Sequence, residues 1–183
     1  MNTFGRVAVF VLLILSVIIN NNTRAQSLAL GASVGGGYIS GDSPDIGSFT
    51  SSLFLDVDLG FSSHFYNRLS FIYNGDFDNI LPGTRNSYFP FIKGISLKGI
   101  ITQDYENNYF LEEGVGFVYL NDRTFSFTNS WNFGVVFSLA AGIDFTDLYK
   151  KGFKLALGTE YAFAFGGTFP KYFSIHLQTK YTL

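Results

Sequence analysis

From residue 27 onward the chain alternates. In "YFSIHLQTKYTL" (172–183) the apolar residues Phe173, Ile175, Leu177, Tyr181 and Leu183 fall at every second position, with Thr179 breaking the row. Successive side chains of a strand point to opposite faces, so this period of two marks a strand with one apolar face. The pattern recurs eight times, over 27–40, 51–62, 66–77, 89–101, 108–120, 131–144, 152–165 and 171–183. No helical period interrupts it. The breaks "GDSPDIGSFT" (41–50), "DNILPGTRNSY" (78–88) and "NDRTFSFTNS" (121–130) are long and polar, whereas "SSHF" (62–65) and "GGTFP" (166–170) are short and those at 102–108 and 145–152 moderate. Eight strands of about ten residues, joined mostly by long and shorter turns in alternation, predict an all-β, eight-stranded, antiparallel, up-and-down transmembrane barrel.

The two faces decide what the barrel meets. One face carries large apolar residues, among them Leu53, Leu55 and Val57, then Leu69, Phe71 and Tyr73, and later Trp131, Phe133, Val135 and Phe137. The other is small or charged, with Gly31, Ser33, Gly35, Ser70, Gly94, Ser96, Gly116 and Ala156 among its members. A soluble lipocalin-like barrel turns its apolar face inward and shows water long charged side chains. Here the polar face is small, which suits the interior of an eight-stranded barrel, just wide enough for side chains to fill. The apolar face is therefore expected to meet lipid, with aromatics near strand ends as interfacial girdles. Two residues fit badly. Glu113 falls on the apolar face between Leu111 and Val115, which calls for a bulge or a place near the inner rim; Lys93, between Phe91 and Ile95, is expected to snorkel to the head groups.

The amino terminus adds a destination. "MNTFGR" is a short basic start, "VAVFVLLILSVII" (7–19) an apolar run of signal-peptide length, and Thr23 and Ala25 stand at −3 and −1 of a cleavage site. Residues 1–25 are thus read as a cleaved signal peptide and 26–183 as one barrel domain. The mature chain holds ten Lys+Arg against fourteen Asp+Glu, a net charge of −4. No basic tract suggests nucleic acid, and without cysteine neither disulfides nor a thiolate metal site are available. Aromatics make up 19% of the chain and charged residues only 14%, about half the usual charged share. Such a surface is ill suited to water.

Phrases such as "EEGVGFVYL" (112–120) and "AAGIDF" (140–145), with the signal, the eight strands and the terminal alternation, resemble the small outer-membrane β-barrel proteins of the OmpA/OmpX/OmpW-like superfamily. The resemblance implies a Gram-negative cell outer membrane location, outer-membrane lipid as surroundings, and assembly machinery that recognises the C-terminal strand. Members usually end in an aromatic residue, and Leu183 departs from that. Members serve as anchors, adhesion or resistance factors, small conduits or lipid-modifying enzymes, so the fold leaves the role open.

Candidate chemistry lies on the inward face. Reflection across the turns near residues 63, 105 and 149 sets Asp58 opposite Arg68, Lys98 opposite Glu112 and Asp144 opposite Lys154; reflection near 168 sets Glu160 opposite His176. With Asp56, Asp76 and Lys180 these form an expected lumen charge network, because buried charges need partners and opposite charges on neighbouring strands supply them. A filled, non-conducting lumen is the expectation. The alternatives are a narrow conduit for ions or a small molecule, and a lipid-modifying enzyme built on a His176–Glu160 dyad. Outer-membrane lipid-deacylating enzymes place their histidine toward lipid, whereas His176 faces inward. "GASVGGGY" (31–38) lacks the Lys-Ser/Thr and helix of a phosphate loop, and no cofactor or metal is expected. Tyr88, Phe125 and Phe127 are the contact candidates in the long loops. The expected role is non-enzymatic, in surface interaction or envelope integrity, with the ligand unknown.

Overall fold

The computed structural model describes residues 27–58, 62, 64–81, 88–146 and 152–183; the expected signal peptide lies outside them. Eight strands form in order: β1 (Leu28–Ser40), β2 (Ile46–Val57), β3 (Phe65–Asp76), β4 (Phe91–Asp104), β5 (Tyr109–Arg123), β6 (Ser130–Asp144), β7 (Gly152–Phe165) and β8 (Lys171–Thr182). Each pairs antiparallel with its successor, and β8 returns to β1 from Ala29↔Thr182 to Ser40↔Lys171, closing the barrel. The final bond of that seam runs from Leu183 N to Leu28 O at 2.9 Å. Closure leaves no open edge whose backbone groups would lack partners. The inward glycines of β1 permit the seam. A Cβ on Gly35 would stand 2.1 Å from Ile175 O, and one on Gly37 1.8 Å from Phe173 O.

Seven strands lie within three residues of the alternation at either end, but β2 does not. It begins five residues before the expected 51 and ends five before 62. Its first half, "IGSFTSS", puts Gly47, Phe49 and Ser51 outward, so an apolar rhythm is missing where pairing continues. Backbone pairing with β1, from Leu28↔Val57 to Ile39↔Ile46, needs no large side chain there. The first loop shrinks accordingly to residues 41–45, and the third to 124–129 because β5 runs on to Arg123. The widest gap between consecutive strands, residues 77–90, opens with a 3₁₀ turn at Phe77–Asn79.

The outward face is apolar and open, as at Leu53 (66% exposed), Phe117 and Leu157. Ring contacts cluster toward the loop end, with Tyr73 stacked on Phe91 and tilted against Phe49, and Tyr119 stacked on Trp131. At the end that carries both termini, Phe153 packs on Tyr181. Glu113 stands outward in this belt, paired with Ile101 and Leu139 in an unbroken register, so there is no bulge. It is the fifth residue of β5, close to the termini end.

The inward face is not uniformly small or charged. At the loop end Ile39, Ile72, Ile92, Val118, Leu120, Val136 and Tyr172 form one buried apolar cluster. These residues share the parity of the inward charges, but they fall nearer the loops.

Candidate functional site in the barrel lumen

Below the apolar cluster the lumen holds charge. Arg68, inward on β3, grips Asp56 of β2 with two parallel hydrogen bonds, Nε to Oδ1 at 2.7 Å and Nη2 to Oδ2 at 2.9 Å. The same Nη2 reaches Glu112 Oε2 on β5 at 3.0 Å, and Nη1 donates to Gln178 Oε1 on β8 at 3.0 Å. Lys180, also on β8, joins Glu112 Oε1 at 2.7 Å and Asp56 Oδ2 at 3.2 Å. Gln178 Nε2 donates to Glu112, and Tyr66 OH accepts from Arg68 and Lys180. Arg68 Cζ lies over the Phe54 ring, 4.1 Å from its centroid. Two carboxylates and two cations thus cancel, each with several partners, which is the condition for tolerating buried charge.

A second group sits one step toward the loops. Lys98 of β4 is bonded to Glu160 of β7, and Tyr172 OH donates to the other oxygen of Glu160 at 2.5 Å. His176 is buried beside it, its Nδ1 sharing a 3.3 Å hydrogen bond with Ser174 Oγ. A third pair, Lys154 with Asp144 at 2.6 Å, stands at the termini end, with Asp104 3.9 Å from the same ammonium. Between that pair and the central cluster lies an open cavity of about 350 Å³, bordered by Asp58, His64, Tyr66, Thr102, Asp144 and Lys154. Asp56 and Lys180 of the central cluster also line it.

The loop end is built differently. Asp122, fully buried, accepts from Thr124 N and Oγ1 at 2.9 and 2.7 Å and from Asp42 N at 3.2 Å. Ser43 N donates to Thr124 Oγ1, and Thr128 Oγ1 to Asp42, so the first and third loops are tied together over the apolar cluster. Tyr88 OH donates to the carbonyl of Arg123, whereas Phe125 and Phe127 are exposed, Phe127 at 93%.

Of the four expected cross-strand pairs, the register keeps only Asp144↔Lys154. Arg68 faces Asp56 rather than Asp58, Lys98 faces Gly116 while Glu112 faces Thr102, and Glu160 faces Ser174 while His176 faces Gly158. The turns centre one or two residues from where reflection put them. An even slip preserves the face of every side chain and replaces its partner. Asp58 lines the cavity, and Asp76 stands at the loop end, where its Oδ1 accepts from Asp78 N at 3.0 Å. Tyr66, Gln178, Tyr172, Asp104 and Asp122 complete these groups without having been singled out in the sequence. Tyr66 and Gln178 carried a usable signal, standing two residues from Arg68 and Lys180 on the same face.

No protein-family model matches the sequence, and no curated protein matches it. The backbone, however, overlays that of Neisserial surface protein A with a TM-score of 0.69, covering 87% of this chain and 100% of that one at 9% identity. The chain has the small outer-membrane β-barrel fold. Also similar to this outer-membrane-type barrel are the attachment invasion locus protein Ail of Yersinia pestis and the N-terminal β-barrel domain of Pseudomonas aeruginosa OprF. Each has a TM-score of 0.49 and covers 86% of this chain and 97% of its own, at 11% and 10% identity respectively.

Proposed function

We propose that the protein is a non-enzymatic, integral outer-membrane barrel with a sealed lumen, its loop end facing outside and contacting the surroundings. The outward belt carries the membrane reading: large apolar side chains surround a closed barrel whose polar residues turn inward. Water would not tolerate such a belt, and a bilayer requires it. The apolar cluster and the tied loops support a plug. Phe125 and Phe127, exposed beyond the rim, are the contact residues. The outward row of β8, ending in Tyr181 and Leu183, is what assembly machinery would read.

His176 supports no catalytic reading. It faces the lumen beneath the apolar cluster, with its Nδ1 bonded to Ser174. The cavity at the termini end is the observation that favours a conduit, and the ion-paired Asp56 and Lys180 that line it support a plug instead. Two measurements test the proposal. Outer-membrane fractions run unboiled and boiled on SDS gels should give bands of different mobility; one band from a soluble fraction would overturn the membrane reading. Purified protein in planar bilayers should show no discrete conductance, and steps abolished by neutralising Asp58 or Glu112 would establish a conduit instead.

A further inference from the structure

Seven Lys and Arg residues fall among the described residues. Five of them, Arg68, Lys98, Lys154, Lys171 and Lys180, are in ion pairs. The two without one, Lys93 and Arg123, stand side by side on the outer surface at the loop-end rim. Phe91 faces Arg123 and Lys93 faces Asn121 in the β4–β5 register, which makes the two cations diagonal neighbours on one face. Lys93 Nζ and Arg123 Cζ each lie 5.8 Å from the centroid of the Phe91 ring, so at most about 12 Å separates them. Like charges placed this way repel unless an anion joins them. The Arg123 Nε is also buried without a hydrogen-bond acceptor, and an unmatched buried donor is costly.

We propose that Phe91, Lys93 and Arg123 seat the phosphate of an anionic lipid in the outward-facing leaflet. A phosphate can take two parallel bonds from a guanidinium and a third from an ammonium, which would satisfy Nε and join the two charges. The depth is that of a head group, since Phe91 belongs to the aromatic row Phe49–Tyr73–Phe91 at the strand ends. The ligand is a lipid rather than a free anion because the seat opens onto hydrocarbon-like surface. Along β4 and β5 the next outward residues are Ile95, Leu97, Tyr119 and Phe117, all exposed, along which an acyl chain can lie. This inference rests on the membrane reading above and specifies the lipid chemistry that one rim of the barrel prefers.

The chain carries its own reporter. Trp131 is its single tryptophan, 45% exposed on the outer surface and in the same row as Lys93 through Asn121, about 10 Å away at ordinary strand spacing. The protein is reconstituted in phosphatidylcholine bilayers, and Trp131 fluorescence is titrated with acyl-chain-brominated phosphatidic acid or brominated phosphatidylcholine. Both lipids should quench, with the phosphatidic acid favoured roughly fivefold or more, as expected for one or two basic residues at a lipid surface. In K93Q/R123Q, shown intact by its unboiled gel mobility, the two lipids should quench equally. The exposed single change K93Q should remove part of the preference and serves if the double variant does not assemble. Equal quenching in the unaltered protein, or a preference that survives both changes, overturns the seat while leaving the membrane reading intact. Loss of the preference in millimolar inorganic phosphate would assign the site to a soluble anion and overturn the lipid. Quenching by neither lipid would mean that Trp131 lies outside the bilayer, and the membrane reading itself would fall.

Discussion

The two halves of the lumen are filled by opposite chemistries. Toward the termini, Asp56, Arg68, Glu112 and Lys180 meet in a neutral cluster in which each charge has at least two partners. Toward the loops, Ile72, Ile92, Leu120 and Val136 pack together with no charge among them, beneath loops held by Asp122. The apolar half gains stability from burial and asks nothing of geometry beyond fit. The charged half offsets a desolvation penalty, and does so only while every member stays in place. If the lumen is sealed as proposed, either half alone should block it, and the comparison predicts two seals in series with different failure modes.

The largest effect should come from Glu112→Ala. It removes the acceptor shared by Arg68, Lys180 and Gln178, and breaking a buried ionic group in this way costs about 3–5 kcal/mol. Urea unfolding in detergent micelles, followed by Trp131 fluorescence, should show a loss of unfolding free energy of that size. Leu120→Ala, in the other half, should cost about 2–4 kcal/mol through the cavity it leaves. Neither variant should conduct in planar bilayers, because each leaves the other seal intact. Steps from Glu112→Ala alone would show that the apolar half does not close the lumen, and the comparison would collapse.

Smaller effects sharpen the same contrast. Lys98→Met leaves Glu160 buried with Tyr172 as its remaining bonded partner. Adding Glu160→Gln should recover part of the loss, giving a coupling of about 1–3 kcal/mol in a double-mutant cycle by the same unfolding assay. Purely additive losses would mean that the pair is not an energetic unit. Phe127→Ser should leave stability unchanged to within about 0.5 kcal/mol, since that ring touches little. A large destabilisation would place Phe127 in rim packing rather than among the contact residues.

Strand count and facing were legible because they depend only on a period of two. Leu53, Phe71 and Leu157 stand outward and Arg68, Lys98 and Glu160 inward, as their parity requires. Less legible was β2, where Gly47 and Ser51 occupy outward positions and the apolar rhythm fails although the ladder continues. The apolar half of the lumen was hidden for a related reason. Ile92 and Leu120 share the parity of Lys98 and Glu112, and a rule that labels one face polar passes over them.

Which charges meet was decided by closure. Lys98 and Glu160 lie on β4 and β7, and Glu112 on β5 meets Lys180 on β8, so these bonds cross the lumen rather than link adjacent strands. Reflection across a turn reaches only the neighbouring strand, and a slip of two residues is enough to replace one partner by another on the same face. Alternation along the chain therefore determined that an eight-stranded barrel forms and which side chains turn inward. The placing of Lys93 and Arg123 around Phe91 followed from the β4–β5 register, and the partners across the lumen from closure, because distances between non-adjacent strands exist only once the sheet has closed on itself.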